Sequence, residues 1–305
     1  MLLAPPVFFF APLALLLVAG RPRSLREWFW FAASVTLALM WAVSGTTALA
    51  SGVTAAAGVI SAGIFLALSL GTGWSVFRRA LVAALTGIGS AAAWAAVLGQ
   101  SWASVQLSFA NGLRSVFVVQ ANAFADRGTD PALVDQLRAM GESSARLAPF
   151  FAAFLVLGGM AGLSLAARWQ EQLSGRPVGR RSAPFRTLRF SDQAIWLLVA
   201  GIAVVLLRPA SVSVLGVPLA GWAANLALVM GVCYVLRGMA VYQAAAVRVP
   251  RRISVVLALV SVLFWPIAGT GLALLGLADS WVDFRRRFGV PQPEDGTDDG
   301  SNSTG

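Results

Sequence analysis

Residues 147–167 read LAPFFAAFLVLGGMAGLSLAA, a run without a single charge, closed by Arg146 before it and Arg168 after it. A helix of this length rises about 31 Å, the thickness of a bilayer's hydrocarbon core. Seven further stretches resemble it, near 2–19, 28–48, 51–71, 80–98, 193–208, 217–236 and 253–278. The composition agrees: 58% of the 305 residues are hydrophobic and 12% are charged, with a mean hydropathy of +0.75. A soluble fold could not bury so much apolar surface. A soluble enzyme, a disordered chain and a disulfide scaffold are therefore excluded. The expected fold is all-α, a polytopic transmembrane helix bundle of about eight membrane segments, with an integral membrane domain over residues 1–288.

The first stretch lacks the positively charged start and the small-residue cleavage site of a secretory signal, so it reads as a spanning helix that stays attached. The sixth is short and stops at Arg208-Pro209. Residues 100–146 are not a span. Trp102, Val105, Phe109, Leu113, Val116, Phe117 and Phe124 recur at helical spacing, with Ser101, Ser104, Ser108, Asn111 and Ser115 largely on the other face. That pattern predicts an amphipathic helix. Gly128-Thr129-Asp130-Pro131 breaks it, and Pro131 after an Asp cap opens a second polar helix to 146. Residues 168–192 form an Arg-rich loop. The acidic tail, 289–305, has too few apolar residues to fold.

All 23 basic residues are Arg, and the formal net charge is +10. The arginines lie in short loops between apolar stretches, so the lipid bilayer with its anionic headgroups is the expected partner and nucleic acid is not. Loops after odd-numbered spans hold fifteen arginines and the other side eight, which places the odd loops in the cytoplasm of a bacterial plasma membrane. The segment from Asp279 to Phe288 conflicts with that parity. Trp281, Phe284 and Phe288 share a face beside Arg285, Arg286 and Arg287, as in a cytoplasmic interfacial anchor. Eight full spans would put it outside. A re-entrant bend at Trp265-Pro266 would bring it back. Both versions stay open.

Catalysis is not expected. The chain has no His, one cysteine (Cys233, in an apolar stretch), and its thirteen acids all fall in loops, at span ends or in the tail. No catalytic residue, metal ligand set or cofactor site follows from such a set. An acid in mid-membrane would have marked a proton path or an intramembrane protease. Neutral polar groups are what remain as ligand-binding candidates: Asn111 and Gln120 on the amphipathic segment, Asn225 and Tyr234 in the seventh span. Asn225 has the competing role of holding helices together, and Arg237 reads as a long side chain snorkelling to headgroups. Small-residue pairs four apart, Gly158 with Gly162, Ala38 with Ala42 and Gly87 with Ala91, predict close helix packing.

Three passages carry a resemblance: PFRTLRFSDQAIWLLVAGIAVVLL at 184–207, NLALVMGVCYVLRGMAVYQ at 225–243 and RVPRRISVVLALVSVLFWPIAGTGLALLGLADSWVDFRRRF at 248–288. They resemble the late spans of the YybS-like family, bacterial multi-pass membrane proteins whose domain has no assigned function. The family is similar at fold level to the substrate-binding membrane component of energy-coupling-factor transporters. The resemblance implies a cavity open to the outside, a small solute and a membrane partner such as a coupling subunit, and it supplies no catalytic residue. The rival expectation is a non-transporting membrane scaffold or assembly factor that holds a partner or lipid through the Arg-rich loop.

Overall fold

Helix ends follow local chemistry. In the computed structural model, which describes residues 6–44, 48–128, 130–188, 190–207, 212–214, 217–246, 263–282 and 284, α1 runs Val7–Ala19 and α2 runs Leu25–Ser44. The entry to α2 is a capping box: Glu27 N–H donates to Ser24 Oγ at 3.2 Å, and Glu27 Oε2 accepts from the N–H groups of Arg23 and Ser24 at 2.6 and 3.4 Å. Helix α3 spans Leu49–Gly71. Helix α4, Val76–Val97, starts at Ser75, whose hydroxyl accepts from Arg78 N–H. Helix α5, Trp102–Ala125, is capped by Ser101. Helix α6, Pro131–Ala145, is capped by Asp130, which accepts from Ala132 N–H at 2.9 Å. Helix α7, Phe151–Ser174, follows a 3₁₀ turn at Ala148–Phe150 and ends at Gly175 with φ +66°. Helix α8 is Ile195–Leu207. A two-residue hairpin pairs β1 (Ser213–Val214) antiparallel with β2 (Val217–Pro218). Helix α9, Leu219–Ala246, and α10, Trp265–Val282, follow among the described residues.

The expected helical bundle is what forms. Among the described residues, four helices are long and apolar enough to cross a membrane: α3, α4, Ala148–Ser174 and α9. The other expected segments differ in length. Helix α1 has 13 residues, Asp192–Leu207 and Pro266–Val282 are short apolar helices, and α2 carries Arg26 and Glu27 in its first turn. Helix α9 also passes straight through Arg237 to Ala246 instead of ending at residue 236. The final stretch is not one unbroken helix in its described part: Phe264 is a turn and α10 restarts at Trp265, with Pro266 where a missing N–H costs nothing. Residues 253–262, and with them the choice between a full span and a re-entrant pair, lie outside the described residues. So do Arg285 to Arg287 and the tail.

Two compact units emerge, residues 1–182 with 200–229 and residues 183–199 with 230–305. In the first, α1 is the centre. Val7, Phe8, Leu13, Leu16 and Leu17 are all buried, and α1 packs on α2, α3 and α7. Its backbone comes so close to α7 that a Cβ on Gly162 would stand 2.6 Å from Phe8 O. Hydrogen-only side chains of this kind let membrane helices gain dispersion contacts that lipid cannot offer. Gly87 plays the same part between α4 and Ser61 of α3. Helices α5 and α6 form an antiparallel hairpin. In the second unit, Gly238 of α9 meets the Leu272 carbonyl, and Gly276 of α10 meets the Tyr234 carbonyl. Those contacts run in opposite chain directions, so the two helices cross antiparallel at near-backbone distance.

Candidate functional site

Helix α5 buries the first half of its apolar stripe, with Trp102, Val105, Phe109 and Leu113 at 6% exposure or less, while Val116 and Phe124 further along are exposed. Trp102 stacks between Phe151 and Trp222 at 5.8 and 5.7 Å, and Phe109 lies 4.6 Å from Phe151. This aromatic cluster fixes the first half of α5 to the start of α7 and of α9. The opposite, hydroxyl-bearing face is left to form a wall. Ser108 Oγ accepts from Ala50 N–H at 3.2 Å, which ties that wall to the first turn of α3. Between them lies an open groove of about 510 Å³, lined by Ala48, Ser104, Leu107, Ser108, Asn111, Gly112 and Ser115. No charged residue lines it.

The groove's polar groups are partly spoken for. Ser115 Oγ donates to Gly112 O at 2.9 Å, and Ser104 Oγ shares a hydrogen bond with Ser101 Oγ at 2.8 Å. Asn111 Oδ1 accepts from Arg114 Nη1 at 3.4 Å, which leaves its two amide N–H groups for a ligand. Arg114 in turn pairs with Glu142 of α6 at 2.8 Å, so the hairpin holds the asparagine in place. The surface can accept and donate hydrogen bonds to a small uncharged solute. Its lining carries three hydroxyls and one amide, with no carboxylate or thiol among the residues that line it.

Of the four residues expected to bind ligand, Asn111 alone lines this groove. Gln120 is exposed nine residues further along α5, about 14 Å away along the axis and on the opposite side of the helix. Asn225 is fully engaged: Oδ1 accepts from Ala153 N–H at 2.8 Å, and Nδ2 donates to Pro149 O and Gly221 O, both at 2.8 Å. It clips α9 to the start of α7. Tyr234 belongs to the second unit, 1% exposed and edge-on to Phe190 at 5.4 Å. Trp281, expected to anchor at the interface, is 69% exposed on α10.

The second unit holds what sequence reasoning missed. Arg237 has no exposed side-chain surface. Its Nε donates to Asp279 Oδ2 at 3.0 Å, and Nη2 donates to Asp192 Oδ1 at 2.8 Å and Asp279 O at 3.2 Å. Nη1 reaches Phe190 O at 3.5 Å, and the guanidinium lies 5.3 Å over the Phe190 ring. Arg237 therefore does not snorkel. It stands about 27 Å along α9 from Leu219 and about 14 Å short of Ala246. The charge is tolerated there because two carboxylates and two carbonyls replace water. Asp279 is likewise no interfacial acid, being fully buried against Arg237. Among the described residues, no cluster of three His, Cys, Asp or Glu side chains is placed to hold a metal ion.

A family model described as "Predicted membrane protein (DUF2232)" matches residues 2–280. No curated protein and no solved structure matches the chain.

Proposed function

The chain belongs to the DUF2232 family of predicted membrane proteins, and on that footing we propose that it is a solute-binding component of a transport system in the bacterial plasma membrane. The observation that carries this is the uncharged groove of about 510 Å³ between α5 and the start of α3. Its size falls in the range of small-molecule sites. Its lining, apolar at Ala48 and Leu107 with three hydroxyls and one amide, suits a small neutral solute, and in this reading the groove opens to the outer side. The role is binding, with a membrane partner supplying the energy.

A thermal-shift panel of vitamins and nucleobases against the purified protein tests this. A compound that raises the melting temperature of the parent, and loses that effect in Asn111→Leu, supports the groove. Asn111 makes one long bond to Arg114, so its replacement leaves the fold intact. A broad panel without any hit turns the assignment toward the scaffold.

A further inference from the structure

Three Arg-bearing turns, far apart in sequence, are fastened together at one end of the first unit. They are the α1–α2 turn with Arg21, Arg23 and Arg26, the α3–α4 turn with Arg78 and Arg79, and the loop after α7 with Arg176, Arg180 and Arg181. Arg79 is the clamp. It is 1% exposed, and its Nη2 and Nη1 donate to the carbonyls of Arg180 and Val178 at 3.0 and 3.5 Å. Gln170, also 1% exposed, donates to Arg176 O at 2.9 Å and accepts from Val178 N–H at 3.4 Å. Glu171 takes Arg181 Nε at 2.6 Å and Ser182 N–H at 3.2 Å. Arg180 Nη1 reaches back to Gly73 O at 3.4 Å. The first turn comes up against Gln170 as well: a Cβ on Gly20, at the end of α1, would stand 3.4 Å from Gln170 Nε2.

A surface loop of this kind could satisfy its backbone with water. Instead two buried side chains, from α4 and α7, are committed to fixing its path. The result is a rigid floor from which Arg21, Arg23, Arg26, Arg78, Arg176 and Arg180 stand exposed. The acids within these turns are already occupied, Glu27 in its capping box and Glu171 with Arg181. Apolar groups share the face. Leu25, Trp28 and Phe29 are 88%, 52% and 66% exposed within a turn of Arg26, and the Arg78 guanidinium lies 4.2 Å over the Trp74 ring.

We propose that this clamped three-turn face is a binding site for the headgroups of anionic phospholipids. Charge alone would fit free phosphate or an acidic protein equally. The exposed leucine and aromatics beside the arginines select a ligand that is anionic at one end and apolar at the other. The fixed backbone removes the ordering cost that a floppy basic loop would meet on binding.

The test is native mass spectrometry of the full chain in micelles carrying dioleoyl phosphatidylglycerol or dioleoyl phosphatidylcholine. The substitutions Arg23→Gln, Arg26→Gln and Arg176→Gln together remove charge, and none of these three side chains takes part in the clamp. Each arginine near an anionic surface is worth about fivefold, so the triple variant should retain phosphatidylglycerol about a hundredfold less well. Phosphatidylcholine binding should not change. The same three positions changed to Lys should bind phosphatidylglycerol nearly as the parent does, which separates lost charge from lost fold. Arg127, Arg138 and Arg146 changed to Gln should have no effect. Equal affinity of the parent for the two lipids overturns the proposal. So does phosphatidylglycerol retention by the Gln triple variant at the parent's level. Displacement of phosphatidylglycerol by poly-glutamate, with Leu25→Ser and Phe29→Ser binding the lipid as before, would reassign the face to an acidic protein and also overturns it.

Discussion

Changing Arg237 to Met separates the buried ion cluster from a snorkelling arginine. Met keeps the apolar stem and removes the guanidinium, and with it the bonds to Asp279 Oδ2, Asp279 O and Asp192 Oδ1. The Asp279 side chain is wholly buried, so its carboxylate loses the Arg237 guanidinium in a place water cannot reach. Breaking one side of such a pair costs about 3–5 kcal/mol. Asp192 is 49% exposed and can rehydrate, so Asp192→Asn leaves the inner pair intact and should cost about 1 kcal/mol. The variant Arg237→Met with Asp279→Leu removes both charges and should recover most of the loss, because apolar replacement of a buried pair is often neutral. Reversible unfolding in mixed micelles, titrated with SDS, reads all four proteins. A single Met variant within about 0.5 kcal/mol of the parent would refute the cluster. A double variant no better than the single one would refute the account of its cost.

Gly276→Ala puts a methyl group into the Tyr234 carbonyl and forces α9 and α10 apart; a loss of about 1–3 kcal/mol is expected in the same titration. Asn225→Leu removes three hydrogen bonds and strands Ala153 N–H, while Pro149 O keeps its bond from Gln106 Nε2; the melting temperature should fall, with a cost of about 1–3 kcal/mol. Glu27 titrates below its ordinary 4.5, first because the Arg23 N–H binds the ionised form. The folded chain therefore holds that proton less readily than the unfolded one. The stability it contributes is whole above about pH 4.5 and is lost as pH falls through the lowered value. Melts from about pH 6 down to about pH 3 should show that acid limb, and Glu27→Gln should flatten it.

The spans read most directly from sequence are those whose apolar run is long and unbroken. Helices α3, α4 and α7 fall where uncharged stretches place them, because composition alone sets their solvent. The α5–α6 hairpin was equally legible: a 3.6-residue stripe, then Gly128 at φ +69° and the Asp130-Pro131 start. The capping box at Ser24 and Glu27 is a local signal that the apolar count passed over, and it starts α2 three residues early. Arg237 was not legible. A long cation near the end of an apolar run defaults to headgroups, and its partners lie 42 and 45 residues away in sequence. The available clue was the glycine beside each charge: Gly238 next to Arg237, and Gly276 one turn before Asp279. Residues that let backbones touch mark where charges from two helices can meet. Asn111 differs from Gln120 by elementary helix geometry. Nine residues put the two on opposite sides of α5, and the contact of Ser108 with α3 makes a groove of the face that carries Asn111.

The proposed solute-binding role requires the groove to face outward and the clamped arginine face to face the cytoplasm. With Cys233 replaced by Ala, single cysteines at Ser115, beside the groove, and at Ser182, on the clamped loop, report the two faces. A membrane-impermeant maleimide applied to intact cells should label Ser115→Cys and leave Ser182→Cys unlabelled until the cells are opened. Labelling of Ser182→Cys in intact cells, with Ser115→Cys protected, would contradict the orientation and the solute-binding role built on it.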